Sequence, residues 1–237
     1  MIGLGILGLI KRDFGSVWLP VPKSFPAREV SVYLCAFISI VSGVGLLWQR
    51  TVAVASRVLF TYLMAWLLLL RVPHIFFSPT IDVTWAACKI AVMAAAAWVL
   101  YIWFAPVQNG QRRGIFTHEK SLRIARALYG LALIPFGVAH FMYLKQTVVL
   151  VPSWLGSPVF WAYFTGCTFI AAGIAVLIGV FARLATLLSA LQIGLFTLIV
   201  WMPILVKGPN PYQWHEIIVS WALTAGAWVV ADSYRNR

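Results

Sequence analysis

The sequence predicts an all-α integral membrane protein of about seven transmembrane helices, on three observations. Of its 237 residues 62% are hydrophobic and 10% charged, against about half and about a quarter in a soluble domain, and mean hydropathy is +0.91. Its apolar runs are near the 20 residues that a spanning helix needs, about twice the length of a barrel strand and without strand alternation. The basic residues behind the net charge of +12 fall in short stretches between those runs. That is the pattern of loops that fix membrane orientation, and it makes nucleic acid a poor partner and the lipid bilayer the expected one.

The chain opens on MIGLGILGLI, too short to span, with Lys11 and Arg12 behind it. A signal peptide carries its positive charge ahead of the apolar stretch, so an uncleaved start is expected. Residues 11–30 hold Pro20, Pro22 and Pro26 with Trp18 and Phe25 and read as an interfacial helix or ordered loop; a partial eighth span within residues 1–19 is the alternative. Spans are expected near 31–48, 53–70, 83–105, 124–144, 160–180, 184–206 and 214–232. Cys35, Cys88 and Cys167 lie inside apolar runs with no CxxC or Cys/His grouping, which indicates neither a disulfide framework nor a zinc site.

Counting Lys and Arg orients the chain. One side receives Arg50, Arg57, Arg112, Arg113, Lys120, Arg123, Arg126, Arg183, Arg235 and Arg237. The other receives Arg71, Lys145 and Lys207 between spans, with Lys11, Arg12, Lys23 and Arg28 in the N-terminal segment. The richer side, with the C-terminus, is expected to be cytoplasmic.

The chain also matches itself at one constant, ungapped offset, the one that pairs Val21-Pro22 with Val151-Pro152. The same offset pairs Tyr33 with Tyr163, Gly43 with Gly173, Pro73 with Pro203, Pro79 with Pro209, and Ala97-Trp98-Val99 with Ala227-Trp228-Val229. The matches fall at the same point of each expected span and in the same orientation, as in a parallel duplication about an axis along the membrane normal. The expected division is an N-terminal interfacial segment 1–30, a first repeat of three helices with its basic linker over 31–118, and a four-helix second repeat over 119–237.

Small residues four apart, Cys167, Ala171, Ala175 and Gly179, then Ala87, Ala91 and Ala95, then Ala222 and Gly226, are expected at helix interfaces, where they allow close backbone approach. Pro135 and Pro203 within spans predict kinks. Ionisable residues inside spans are functional candidates by default. Lys89, His140 and Glu216, with His74, Asp82 and His215 in the flanking outer loops or helix ends, define a candidate polar pocket on the outer side. The competing account is interfacial: Lys89 snorkels to the headgroups and the histidines bond to backbone carbonyls or water. A metal site from His74, His140 and His215 has nothing in the spacing to demand it. No Walker loop, HExxH or GxSxG is present, and no catalytic residue or metal ligand is assigned.

The stretch Gly137-Val138-Ala139-His140-Phe141, then Val151-Pro152-Ser153-Trp154-Leu155 and Tyr163-Phe164-Thr165-Gly166 with Gly173 and Arg183-Leu184-Ala185, resembles the DoxX-like family of small four-helix bacterial membrane proteins over about residues 121–232. The chain departs from the family pattern at Gly156, where a proline is expected, and at Thr168, where an acid is common. The resemblance implies a bacterial inner-membrane protein, an accessory subunit of a redox or respiratory complex rather than an enzyme, with a quinone or a lipid as its ligand and other membrane subunits as partners. A small-solute or ion transporter using the outer pocket is the alternative.

Overall fold

The structure is a computed structural model that describes residues 1–19, 21, 27–108, 111–112 and 116–235. Pro20, Pro22, Lys23, Phe25, Pro26, Arg113 and Arg237, which entered the sequence reading, lie outside the described residues. Helices account for nearly all the regular structure: α1 (Ile2–Lys11), α2 (Arg28–Gly45), α3 (Val52–Phe77), α4 (Ile81–Phe104), α5 (Glu119–Met142), α6 (Leu144–Leu150), α7 (Pro158–Ile178), α8 (Ala182–Val206) and α9 (Pro211–Asp232). A two-residue ladder, β1 (Val107–Gln108) against β2 (Gln111–Arg112), sits in the linker before α5.

Six of these helices, α2, α3, α4, α5, α7 and α8, are long and apolar enough to cross a membrane, the mark of a multi-pass membrane protein. Helix α9 has 22 residues but opens on the polar run Tyr212-Gln213-Trp214-His215-Glu216, which lowers its apolarity. The segment after α1 lies at the end of the bundle where α4 and α9 begin, here called the strap end; the opposite end carries the 105–118 linker.

Element boundaries recur at the interval that separates Val21 from Val151. Arg28 and Pro158, Val52 and Ala182, and Ile81 and Pro211 are helix starts separated by it, and π-turns begin at Leu67 and Thr197, again one interval apart. Each π-turn precedes a proline, Pro73 or Pro203. Proline cannot donate to the carbonyl one turn back, and widening the helix there accommodates the lost bond. The expected effect of Pro203 is therefore realised through a π-turn, and Pro135 lies inside a continuous α5.

Helix α4 is the core. Fourteen of its residues are buried, most of them alanine, valine or another apolar type, and it packs against α3, α5 and α9. Thr80 caps its start by accepting from the Val83 amide. A capping box starts α9: the Asn210 carboxamide oxygen accepts from the Gln213 amide at 2.8 Å, and the Gln213 side chain accepts from the Asn210 amide at 2.9 Å, satisfying donors that a helix start leaves free.

Glycine decides where backbones meet. On α5 and α7, Gly130 faces Gly173 and Gly137 faces Gly166 so closely that a Cβ on Gly137 would strike the Gly166 carbonyl oxygen, and one on Gly173 would lie 2.7 Å from that of Gly130. On α1 and α2 a Cβ on Gly5 would lie 2.6 Å from the Ala36 carbonyl. One expected interface fails here. Cys167, Ala171 and Gly179 are exposed, because the buried face of α7 is the one carrying Gly166 and Gly173. The stripes on α4 and α9 do face inward: Ala87, Ala91, Ala95 and Gly226 are buried, with Gly226 against Val92 and Ala96. Polar bonds tie other helices, Tyr129 to Ser189 at 2.9 Å and Thr197 to Ser220 at 2.6 Å, as hydroxyls do where no water competes.

Candidate functional site

Two sites stand out, a polar cluster at the strap end and an apolar cleft between α7 and α8. The cluster forms where α4 and α9 start side by side. Lys89 Nζ donates to Glu216 Oε2 at 2.6 Å, and both side chains are about nine-tenths buried, at 11% and 10% exposure. Lys89 also stands 4.7 Å from the centre of the Trp85 ring. The other carboxylate oxygen accepts from Ser16 Oγ at 3.1 Å. A buried charge is tolerated where a partner and further donors replace water, and these contacts provide both. Lys89 does not snorkel.

Ser16 belongs to a strap, residues 13–18, that crosses the end of the bundle. The Val17 amide donates to His215 Nε2 at 3.1 Å, so in the neutral ring the hydrogen resides on Nδ1. Arg71 donates to the carbonyls of Ser16 and Val17. Trp66 Nε1 donates to the Trp18 carbonyl at 3.1 Å, and Lys11 Nζ to the Pro211 carbonyl at 2.6 Å. Gly15 lies directly on the His215 imidazole, with no room for a Cβ. Asp13 pairs with Arg28 at 2.5 Å, and Arg28 donates to the Val21 carbonyl. The strap is therefore ordered by side chains from α2, α3 and α9.

Of the six residues expected in an outer pocket, Lys89, His215 and Glu216 meet in this cluster and the other three do not. His74 is half-buried near the end of α3. Asp82 is exposed at the start of α4 and accepts from the Tyr143 phenol, which holds that phenol's proton above its ordinary range. His140 lines the cleft between α7 and α8. Among the described residues no three of His, Cys, Asp and Glu come together to hold a metal ion.

Sequence reasoning missed Arg71, counted as a loop charge and in fact 2% exposed. The available signal was its place between Leu67-Leu68-Leu69-Leu70 and Val72. Arg126 was likewise counted as a loop charge. It is buried, donates to Ser233 through Nε at 2.9 Å, and stacks 3.9 Å from the Tyr234 ring.

The cleft between α7 and α8 has a volume of about 610 Å³ and an almost wholly apolar wall, within the size range of small-molecule sites. Leu150, Leu155 and Trp161 form its rim at the strap end, and Phe164, Phe169 and Phe196 supply rings along it. Its polar groups are few and fixed. Gln192 Nε2 donates to the Thr165 carbonyl at 3.0 Å, and Gln192 Oε1 accepts from Thr168 Oγ at 2.6 Å. A carbonyl only accepts, so the amide orientation is determined, and its second N–H has no partner among the described residues. His140 Nδ1 lies 2.7 Å from the Phe136 carbonyl. By the same logic Nδ1 carries the hydrogen and Nε2 is an acceptor. The cleft thus offers the second N–H of Gln192 and the Nε2 of His140, with the hydroxyls of Thr147, Thr165, Thr168 and Ser189, in an otherwise apolar wall, which suits an amphiphile.

Compared with protein families, with curated proteins and with solved structures, the chain matches none.

Proposed function

We propose that this is an accessory bacterial inner-membrane protein of DoxX-like type, associated with a membrane redox or respiratory assembly, that holds a quinone or lipid in the cleft between α7 and α8. The cleft is the observation that carries the reading: about 610 Å³ of apolar space with Gln192 and His140 as its polar handles. On this reading the chain is a tandem duplication, α2 to α4 and α7 to α9, with α9 as a seventh span and α1 as the shortened counterpart of the strap-end half of α5. Supporting it are the constant interval between helix starts and the like contacts of Gly5 with Ala36 and Ile40 and of Gly137 with Gly166 and Ile170, whose partners keep that interval while the two glycines themselves stand slightly off it. The linker end, richer in Arg and Lys, is its cytoplasmic side.

Extraction of the protein with its surrounding membrane in a polymer disc, followed by native mass spectrometry, tests the reading. The expected result is one quinone or lipid retained after the bulk lipid is stripped, together with membrane partner subunits. A bare monomer with an empty cleft would overturn it.

A transporter is the second reading, drawn from the Lys89–Glu216 pair and the buried Arg71 near it. It ranks lower because the strap already covers these residues. Solute flux in proteoliposomes, abolished by Lys89→Met, would reverse the ranking.

A further inference from the structure

The occupant of the α7–α8 cleft can be narrowed from the other half of the molecule. Gln192 and Phe196 are the counterparts of Tyr62 and Trp66 at the repeat interval, on helices whose starts and π-turns keep the same spacing. At Tyr62 and Trp66 the space beside the helix is filled. The Trp18 ring, carried in by the strap, lies 5.3 Å from the Tyr62 ring and 5.3 Å from the Trp66 ring, centre to centre. Phe14 lies 5.6 Å from Trp66. At Gln192 and Phe196 the connecting segment supplies no ring of its own: Thr147, Leu150 and Leu155 form the rim, and Trp154 stands exposed on the surface. The same backbone geometry leaves open on one side what an aromatic ring closes on the other.

The walls agree with that shape. Trp161, Phe164, Phe169 and Phe196 offer faces and edges to a flat guest. The second N–H of Gln192 is left to donate to an acceptor on that guest, and His140 Nε2 accepts a hydrogen if the guest has one to give. Beyond Gln192 the wall continues through Ala175, Leu184 and Leu188 to Phe181, which suits an aliphatic chain.

Resting on the reading of the cleft as a ligand site, we infer that its ligand is a flat six-membered ring bearing a carbonyl or phenolic oxygen, on an apolar tail, and not an acyl lipid without a ring. The ring lies between Gln192 and Phe196 in the place that Trp18 takes beside Tyr62 and Trp66. The tail points to the linker end.

The test compares two probes against the full chain in phosphatidylcholine nanodiscs, each titrated and read by calorimetry: a benzoquinone with a decyl chain, and decan-1-ol, which has the tail without the ring. Saturable binding of one benzoquinone per chain is expected, at least tenfold tighter than the alcohol. Gln192→Met, which keeps the length and removes the donor, should weaken the benzoquinone about tenfold, the value of one hydrogen bond, and leave the alcohol unchanged. Ala171→Phe, at an exposed residue of the cleft wall where bulk does not stress the core, should abolish binding of both. Equal affinity for the two probes, both lost in Ala171→Phe, would overturn the ring and leave the cleft as a lipid site. Indifference of the benzoquinone to Gln192→Met would overturn the placement of its oxygen. No saturable binding of either probe would overturn the site itself.

Discussion

Helices α4 and α9 carry the same Ala-Trp-Val triplet, and its two tryptophans have opposite fates. Trp98 on α4 is 7% exposed, packs 5.1 Å from the Phe60 ring, and donates through Nε1 to the Phe116 carbonyl at 2.9 Å. Trp228 on α9 is 46% exposed. Other pairs at the same interval repeat the contrast: Ala91 and Ala95 are buried, whereas Trp221 and Ala225 are exposed. The cause is the neighbour. Helix α5 packs along α4 and covers it, while α9 packs on α4 and α8 and meets the ten-residue α1 at its start, as where Gly3 meets Ile218. A span's composition specifies that it spans; which of its faces meets protein is decided by helices elsewhere in the chain. Only the all-alanine turn of α4, Ala94 through Ala97, carries a hint, since small side chains all round let three helices approach.

Replacing the two tryptophans gives the largest expected difference. Trp98→Ala should cost about 3–5 kcal/mol of unfolding free energy in mixed micelles, as for a large buried aromatic. Trp228→Ala should stay within about 0.5 kcal/mol, as for a surface change. Equal costs would mean that α9 is covered as α4 is. Next comes the one charged contact described between the two helices. Lys89→Met or Glu216→Gln alone should lower stability by up to about 3 kcal/mol, because each strands its partner's charge, and the double change should lose less than either single one. Additive losses in that cycle would mean that the pair contributes nothing as a pair. The smallest expected contrast comes from overpacking. Ala95→Leu should cost about 1–3 kcal/mol and Ala225→Leu should be nearly neutral, read by the same unfolding assay. A large cost at Ala225 would place another helix there.

The spans were legible in the sequence because hydrophobic length is a local property: helices at Ile81–Phe104 and Pro158–Ile178 stand against expectations of 83–105 and 160–180. The constant interval between element boundaries was legible for the same reason. The candidate site was legible in part. Lys89 and Glu216 were marked as charges at similar depth in an apolar setting, and that is enough to expect a partner. The strap was not legible. Its order depends on Ser16, Val17 and Trp18 meeting His215, Glu216, Arg71 and Trp66, contacts between residues far apart in sequence that no periodicity encodes. Nor was the buried face of α7. Cys167, Ala171, Ala175 and Gly179 form as good a stripe as the pair Gly166 and Gly173, and the facing Gly130 and Gly137 on α5 decide between them. His140 misled for a related reason: its place near the end of α5 could be read from the sequence, and its azimuth around that helix could not.

The π-turns at Leu67–Arg71 and Thr197–Trp201 act as phase shifters. Each inserts one residue beyond a regular helix, and one residue is a rotation of about 100°. Arg71 and Trp201, which close the two turns at equivalent places, are both turned inward and buried by that rotation. Were Leu67–Arg71 wound as a regular α-helix with no residue removed, the guanidinium of Arg71 would stand about 100° away on the circumference, and the carbonyls of Ser16 and Val17 would lose their donor. The winding of a leucine run therefore sets the angular position of a charge: a deletion of one leucine that straightened the turn would leave Arg71 in register, whereas a change that straightened it at constant length would turn Arg71 away from the strap.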